Sequence, residues 1–311
     1  MKSSTPPDNH KKQIIADALC AACGSETLTP SIPLLGGYIC SECGMFHSAS
    51  AITQMAEDTQ TTGVLIPAPP TENNEKVFLH SKKKLFLKGI KTIETALGDK
   101  GHSRETKKLL DIGCGFGYFI KAAQDRGWIT EGIEISRSAV DHCRRELSLN
   151  VHSKPLKELK LLSESFDAVT MWGVLDLVPS PSEELKEINR ILKPGGVLLI
   201  RVNNFSFHLR AYLLGQSFIF KRLGVAPGII HRYGITSKAL KKLLTIAGFR
   251  DIRVFNSLPT EGDPYGTGGI FGGFFVQVFK KIYFIASETI YHLTSGAITI
   301  SSSLMAIAVK K

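Results

Sequence analysis

Leu109-Leu110-Asp111-Ile112-Gly113-Cys114-Gly115-Phe116-Gly117 is the stretch from which the rest of this 311-residue chain can be read. Leu109, Leu110 and Ile112 form a short apolar run suited to a buried strand, and the run breaks at three glycines spaced two apart. A helix is expected to follow. Glycine takes positive φ at little steric cost and lets a ligand approach the main chain, so the loop reads as a nucleotide-type cradle. Asp111 stands at the carboxyl end of the strand, where open α/β sheets hold their ligands. About twenty residues on, Trp128 to Ile135 reads as a second strand, ending in Gly132-Ile133-Glu134-Ile135-Ser136. That places the Glu134 carboxylate where it can accept both ribose hydroxyls of an adenosine.

The third glycine follows the second by two residues rather than three, which departs from the dinucleotide pattern and argues against NAD. Leu-Asp-Ile-Gly-Cys-Gly-Phe-Gly together with Gly-Ile-Glu-Ile-Ser resembles the class I S-adenosylmethionine (SAM) dependent methyltransferases. The resemblance implies a Rossmann-like, doubly wound α/β sheet of seven strands. It also implies a SAM site built from Asp111, Gly113, Gly115, Gly117, Tyr118, Glu134, Ile135, Leu156 and Trp172, with Pro155 and Leu156 along the adenine edge.

The downstream chain fits the same family. Tyr118–Arg126 and Ser136–Leu147 read as crossover helices, Ser136 being a good N-cap. Val151–Leu159 is a strand and loop, and Phe166–Trp172 the fourth strand. Glu183–Leu192 is helical, and Leu192-Lys193-Pro194-Gly195-Gly196 stops that helix before the apolar strand Val197–Val202. Alternating strand and helix point to a parallel sheet with right-handed crossovers. Many small-molecule members carry Glu-His where this chain has Asp176-Leu177. The His231-Arg232-Tyr233-Gly234-Ile235-Thr236 segment resembles the His-containing one that precedes the penultimate helix of such enzymes. If the acceptor is a hydroxyl, Asp176 or His231 is the candidate catalytic base, with Trp172 and Tyr118 lining the pocket.

Ahead of this domain stand Cys20-Ala-Ala-Cys23-Gly and Cys40-Ser-Glu-Cys43-Gly, two Cys-x-x-Cys knuckles at zinc-ribbon spacing. Four thiolates make a closed tetrahedral set, so the expected zinc is structural, and His47 reads as an ordinary loop histidine. The chain thus divides into a disordered tail (1–12), the ribbon (13–48), a Pro- and Thr-rich linker (49–75) and the methyltransferase domain (76–256), with a cap insertion at about 205–235. An apolar C-terminal extension (257–311) should end in an edge strand at 302–309. Lys76–Leu97 has helical periodicity, and Lys82-Lys83-Lys84 on it reads as a solvated face.

Hydrophobic content of 43% fills a real core, and a formal charge of +10 with a pI near 9.3 admits an anionic partner without choosing one. The polar start of the chain carries no signal-peptide pattern, which gives a cytoplasmic expectation. Ile270–Phe279 is too short to span a bilayer. An amphipathic helix packed on the core is the reading for the last segment, with peripheral contact at a membrane surface as the alternative. The favoured function is methyl transfer to a small-molecule acceptor, at an oxygen of a glycan, lipid-linked or secondary-metabolite substrate. An RNA base methyltransferase with a recognition ribbon is the runner-up. It lacks both an aromatic platform interleaved with basic residues and the Asn/Asp-Pro-Pro-Tyr/Phe motif after the fourth strand. A non-catalytic SAM-binding module is the third reading.

Overall fold

The computed structural model describes residues 19–31, 35–49, 72–98, 106–215, 231–259 and 274–311. The expected tail, nearly all of the linker and residues 216–230 of the cap lie outside these residues. Three short strands open the described chain, β1 (Leu28–Pro30), β2 (Gly37–Cys40) and β3 (Phe46–Ser48). Helix α1 (Glu72–Ala96) follows, starting before the expected end of the linker. The main domain then runs β4 (Lys108–Ile112), α2 (Tyr118–Gln124), β5 (Ile129–Ile133), α3 (Arg137–Arg145), β6 (Val151–His152), α4 (Leu156–Leu159), β7 (Phe166–Trp172), α5 (Pro181–Ile191) and β8 (Leu192–Asn203). It closes with α6 (Phe205–Gly215), β9 (Tyr233–Gly234), α7 (Ser237–Ile246), β10 (Phe249–Asn256), α8 (Phe274–Leu293) and β11 (Ser303–Lys310).

The main sheet has seven strands in the order β10-β11-β8-β7-β4-β5-β6. β4, β5, β6, β7 and β8 pair in parallel, while β11 is antiparallel to both β8 and β10. Sequence order reverses at β4, so β5 and β6 extend one way and β7 the other. That switch point opens the crevice in which such sheets bind ligands.

Helices cover both faces, and side-chain alternation along the strands sorts the apolar residues between them. Leu109, Ala168, Val197 and Leu199 point to α1, α2 and α3, packing with Ile90, Ile93, Phe119 and Val140. Their chain neighbours Leu110, Val169, Leu198 and Ile200 point to α5 and α7, packing with Leu185, Ile188, Leu240 and Leu243. This two-sided burial is why the central strands read as continuous apolar runs.

Two sequence expectations are corrected. β11 does not form the sheet edge: it inserts between β8 and β10, with Ile307 opposite Leu199 on one side and Arg253 on the other. Residues 257–311 are therefore joined to the main domain, whose outer strand is β10. The second correction concerns the ribbon, whose sheet is β1-β2-β3-β9 and so takes its fourth strand from the main domain. Cys20, Cys40, Cys43 and Met45 belong to the same apolar cluster as α5 and α7. Ser136 stands at the start of α3 but makes no side-chain cap, whereas the Thr236 hydroxyl caps α7 by accepting from the Ala239 N–H at 3.1 Å. No helix among the described residues is long and apolar enough to cross a membrane.

Candidate active site

The glycine loop lies across the ends of β4 and β5. Its first two amides, of Gly113 and Cys114, both donate to the Ile133 carbonyl, at 2.7 and 3.0 Å. Glu134, one residue past β5, is 5% exposed. Its Oε2 accepts the Gly115 N–H at 2.9 Å and its Oε1 the Ser136 N–H at 2.8 Å. A carboxylate has about four lone-pair sites, so these two donors fix its orientation and leave acceptor capacity for a diol. From the other side the Cys143 thiol donates to the Gly115 carbonyl at 3.3 Å.

The three glycines serve different needs. A Cβ on Gly113 would collide with Val174, and one on Gly117 would come within 2.6 Å of Leu149 and 2.8 Å of Cys143. Gly115 has open space where its Cβ would be. All three have positive φ, yet only Gly115 has free space beside it; the outer two are required by packing.

Asp111 is 1% exposed, and its Oδ1 accepts the Thr170 hydroxyl at 2.6 Å. Burial pushes its carboxyl up to about 8, against the opposing Thr170 hydrogen bond and with added repulsion from Glu134. Tyr118 opens α2 beside the rings of Phe116 and His142, at 6.4 and 5.9 Å. Ile135, beyond Glu134, is 47% exposed, whereas Leu156 is 1% exposed and committed to the core. Trp172, at the end of β7, lies 4.8 Å from Phe119 and 5.3 Å from Phe86. Gly89 on α1 makes room for it, since a Cβ there would meet the indole at 2.7 Å. The Trp172 Nε1 is buried with no hydrogen-bond partner among the described residues.

The turn after β7 carries Asp176. It is 1% exposed, and its Oδ1 has no hydrogen-bond partner among the described residues. Burial raises its pKa, while nearby His231 and Arg201 favour its charged form. The segment that begins at His231 runs beside this turn, the Tyr233 N–H donating to the Asp176 carbonyl at 3.1 Å. Arg201, overlooked in the sequence, donates from Nε to Ser257 Oγ at 2.9 Å and from Nη2 to Ser303 Oγ at 3.0 Å. Its signal was a charged residue interrupting the apolar run Val197–Val202. Lys82 also differs from expectation. Burial, with Arg201 nearby, pulls its pKa down to about 7, so it faces the domain while Lys83 and Lys84 face solvent. His208 is buried, its ring nitrogen 3.0 Å from the Ser302 carbonyl, and desolvation lowers it to about 4.

In the ribbon, the Sγ atoms of Cys20, Cys23, Cys40 and Cys43 all lie within 4.8 Å of one another. The Cys20–Cys43 and Cys23–Cys40 separations are both 3.5 Å. Tetrahedral zinc with bonds of about 2.3 Å needs sulfur separations of roughly 3.8 Å, so the cage fits that ion. Cys43 is held down to about 5 by the hydrogen bond from Cys20, whose own thiol is pushed up. His47, expected in a loop, is a fully buried β3 residue whose two ring nitrogens have no partner among the described residues.

Residues 82–254, over half the chain, match the methyltransferase domain family. The chain belongs to this family. Among curated relatives of the methyltransferase domain, the ubiquinone biosynthesis O-methyltransferase of Coxiella burnetii is 29% identical over 140 residues, covering 43% of this chain and 58% of the relative. The enzyme of the same name from Pseudomonas entomophila is 33% identical over 134 residues, covering 40% and 57%. The chain therefore spans a little over half the length of these relatives. A solved structure of a candidate SAM-dependent methyltransferase from Listeria monocytogenes superposes with a TM-score of 0.51 at 16% identity, covering 74% of this chain and 99% of its own. At that identity the likeness speaks for the fold. In the methyltransferase domain the glycine loop and Glu134 stand at the ends of β4 and β5, where the sheet order reverses.

Proposed function

We propose that the protein is an enzyme that transfers the methyl group of SAM to an oxygen of a small-molecule acceptor, of the glycan, lipid-linked or secondary-metabolite class. The observation that carries the cofactor assignment is the placement of Asp111 and Glu134 at the ends of adjacent strands, with Glu134 accepting the Gly115 amide. SAM brings a methyl already activated on a sulfonium, so the protein's task is to align the acceptor and exclude water. Asp111 supplies negative charge toward the cationic end of the cofactor, and Glu134 accepts from its ribose. Tyr118, Ile135 and Trp172 would shape the remaining walls, while Gly113, Gly117 and Leu156 support them from the core.

On the acceptor side, Asp176 has an unsatisfied buried oxygen, which an acceptor hydroxyl would satisfy by donating to it. A carboxyl raised by burial is also suited to take that proton as the oxygen attacks. His231 beside it supports the charged form. Zinc at Cys20, Cys23, Cys40 and Cys43 stands apart from this chemistry, as a closed structural site. On α8, Ile282, Ile285 and Leu293 are 62%, 65% and 80% exposed, an apolar outer face suited to peripheral contact with a membrane holding a lipid-linked acceptor.

The test is incubation of the full chain with methyl-labelled SAM and a source-cell extract, followed by fractionation. Label in the metabolite or lipid fraction is expected. Label in RNA would replace this reading with base methylation, and SAM binding without label in any fraction would replace it with a non-catalytic module.

A further inference from the structure

The ribbon and the acceptor side of the site share one β-sheet. β3 pairs with β9, which sets His47 opposite Tyr233 and Phe46 opposite Gly234. From there Tyr233 reaches the turn after β7 and holds it at two points. Its N–H donates to the Asp176 carbonyl at 3.1 Å, and its hydroxyl donates to the Pro179 carbonyl at 2.8 Å. The His47 ring meets the Tyr233 ring edge-on at 5.4 Å.

Neighbouring contacts fasten the same strand to the ribbon. The Ser48 N–H donates to the Arg232 carbonyl at 3.0 Å, and the Thr236 hydroxyl donates to the carbonyl of Cys43, one of the four thiol residues, at 3.2 Å. Phe46 stacks on Phe205 at 5.1 Å. His231 begins this segment, two residues before Tyr233.

Asp176 needs such a grip. A buried carboxylate oxygen without a hydrogen bond is unfavourable, so a loosened turn would release Asp176 toward water. The cofactor half of the site is held by other hydrogen bonds, through Ile133, Glu134, Thr170 and Cys143, none of which belongs to the ribbon, and it meets the turn where Val174 packs on Gly113.

We propose that Tyr233 is a positioning residue through which the metal-stapled ribbon sets the Asp176 turn, ordering the acceptor half of the site while the hydrogen bonds that hold Glu134 and Asp111 in the cofactor half stay in place. The inference rests on the methyltransferase reading for its functional meaning. Its structural content is testable without turnover.

The experiment compares the zinc-loaded full chain, the same chain after chelation, and the Tyr233→Phe and Tyr233→Ala variants. Amide hydrogen exchange is followed over 173–179 and 231–236, against 111–117 and 132–136 as the internal reference. Chelation should raise exchange in the first two segments by roughly tenfold or more while SAM affinity stays within about twofold, as local opening requires. Tyr233→Phe keeps the ring and the main-chain bond, so it should lower the rate of label transfer from methyl-labelled SAM into the cell extract by roughly five- to tenfold with SAM affinity unchanged. Tyr233→Ala should be worse, and the phenylalanine should rescue most of the exchange protection.

Unchanged exchange at 173–179 after chelation would overturn the proposal, as would a chain that retains no metal. Exchange rising equally across all four segments would also overturn it, because the ribbon would then support the whole fold. If SAM does not bind at all, the methyltransferase reading fails, and the exchange result still decides whether the ribbon orders the turn.

Discussion

Glu134 Oε2 accepts the Gly115 N–H at 2.9 Å, so the carboxylate proposed to bind ribose also fixes the loop proposed to cradle the cofactor. Glu134→Ala removes both functions at once. Hydrogen bonds to charged groups contribute about 1.5–3 kcal/mol each, so SAM affinity should fall roughly ten- to hundredfold. Glu134→Gln keeps one acceptor oxygen and should lose less. Titration calorimetry with SAM measures both, and equal affinity for all three proteins would remove Glu134 from the site.

Gly113 and Gly115 should separate stability from binding. Gly113→Val puts a branched side chain into Val174 at a positive φ of 71°, so it should lower the melting temperature markedly. Gly115→Ala meets no neighbour and carries only the left-handed backbone cost, of about 1–2 kcal/mol. Its methyl enters the space a ligand needs, so SAM affinity should fall by more than stability does. Thermal melts with and without SAM distinguish the two effects.

Asp111 should make SAM binding pH-dependent. Its carboxyl is pushed from the ordinary 3.8 to about 8, so between those values the folded chain keeps a proton that the unfolded chain has lost. Asp111 therefore contributes a loss of stability that grows as pH rises through that window and levels off above about 8. A cationic ligand favours the charged carboxylate, so binding should release a proton and tighten as pH rises from about 6 towards 8. Above that, the ammonium of SAM itself begins to lose its charge. Asp111→Asn should flatten the profile, and Thr170→Val, which removes the hydrogen bond favouring the charged form, should weaken binding at neutral pH.

The parts of this molecule that were legible in its sequence are those written in neighbouring residues. Strand β7 stands where its apolar run placed it, and the two carboxylates and four cysteines fall together because short motifs set their spacing. What escaped was long-range pairing. Nothing in Tyr233-Gly234 marks it as the fourth strand of a sheet begun about two hundred residues earlier, at Leu28, and nothing around His47 marks that residue as buried opposite it. The glycine pattern was likewise visible while its cause was divided. Gly113 answers to Val174, a residue about sixty positions away, and only the fold brings the two together.

The ribbon should hold about one zinc per chain, and Cys23→Ser should release it and lower the melting temperature. Elemental analysis and thermal melts measure the two effects. A metal-free chain of undiminished stability would show that apolar packing against α5 and α7 suffices without an ion.

Removing the last strand should be far more damaging than an edge position would allow. β11 pairs along its length with β8 and through most of it with β10, and it carries Leu304, Met305, Ala306 and Ile307, all buried, into both apolar clusters. Truncation before Ser303 would leave two strands without a shared partner and uncover core on both faces. It would also take away the Ser303 hydroxyl that receives Arg201 beside the acceptor site. The truncated chain should therefore lose cooperative unfolding, as followed by circular dichroism. A single substitution, Ser303→Ala, should keep the fold and lower activity through Arg201 alone. A truncated chain that still melts cooperatively and binds SAM would show that β8 and β10 can close the sheet without it.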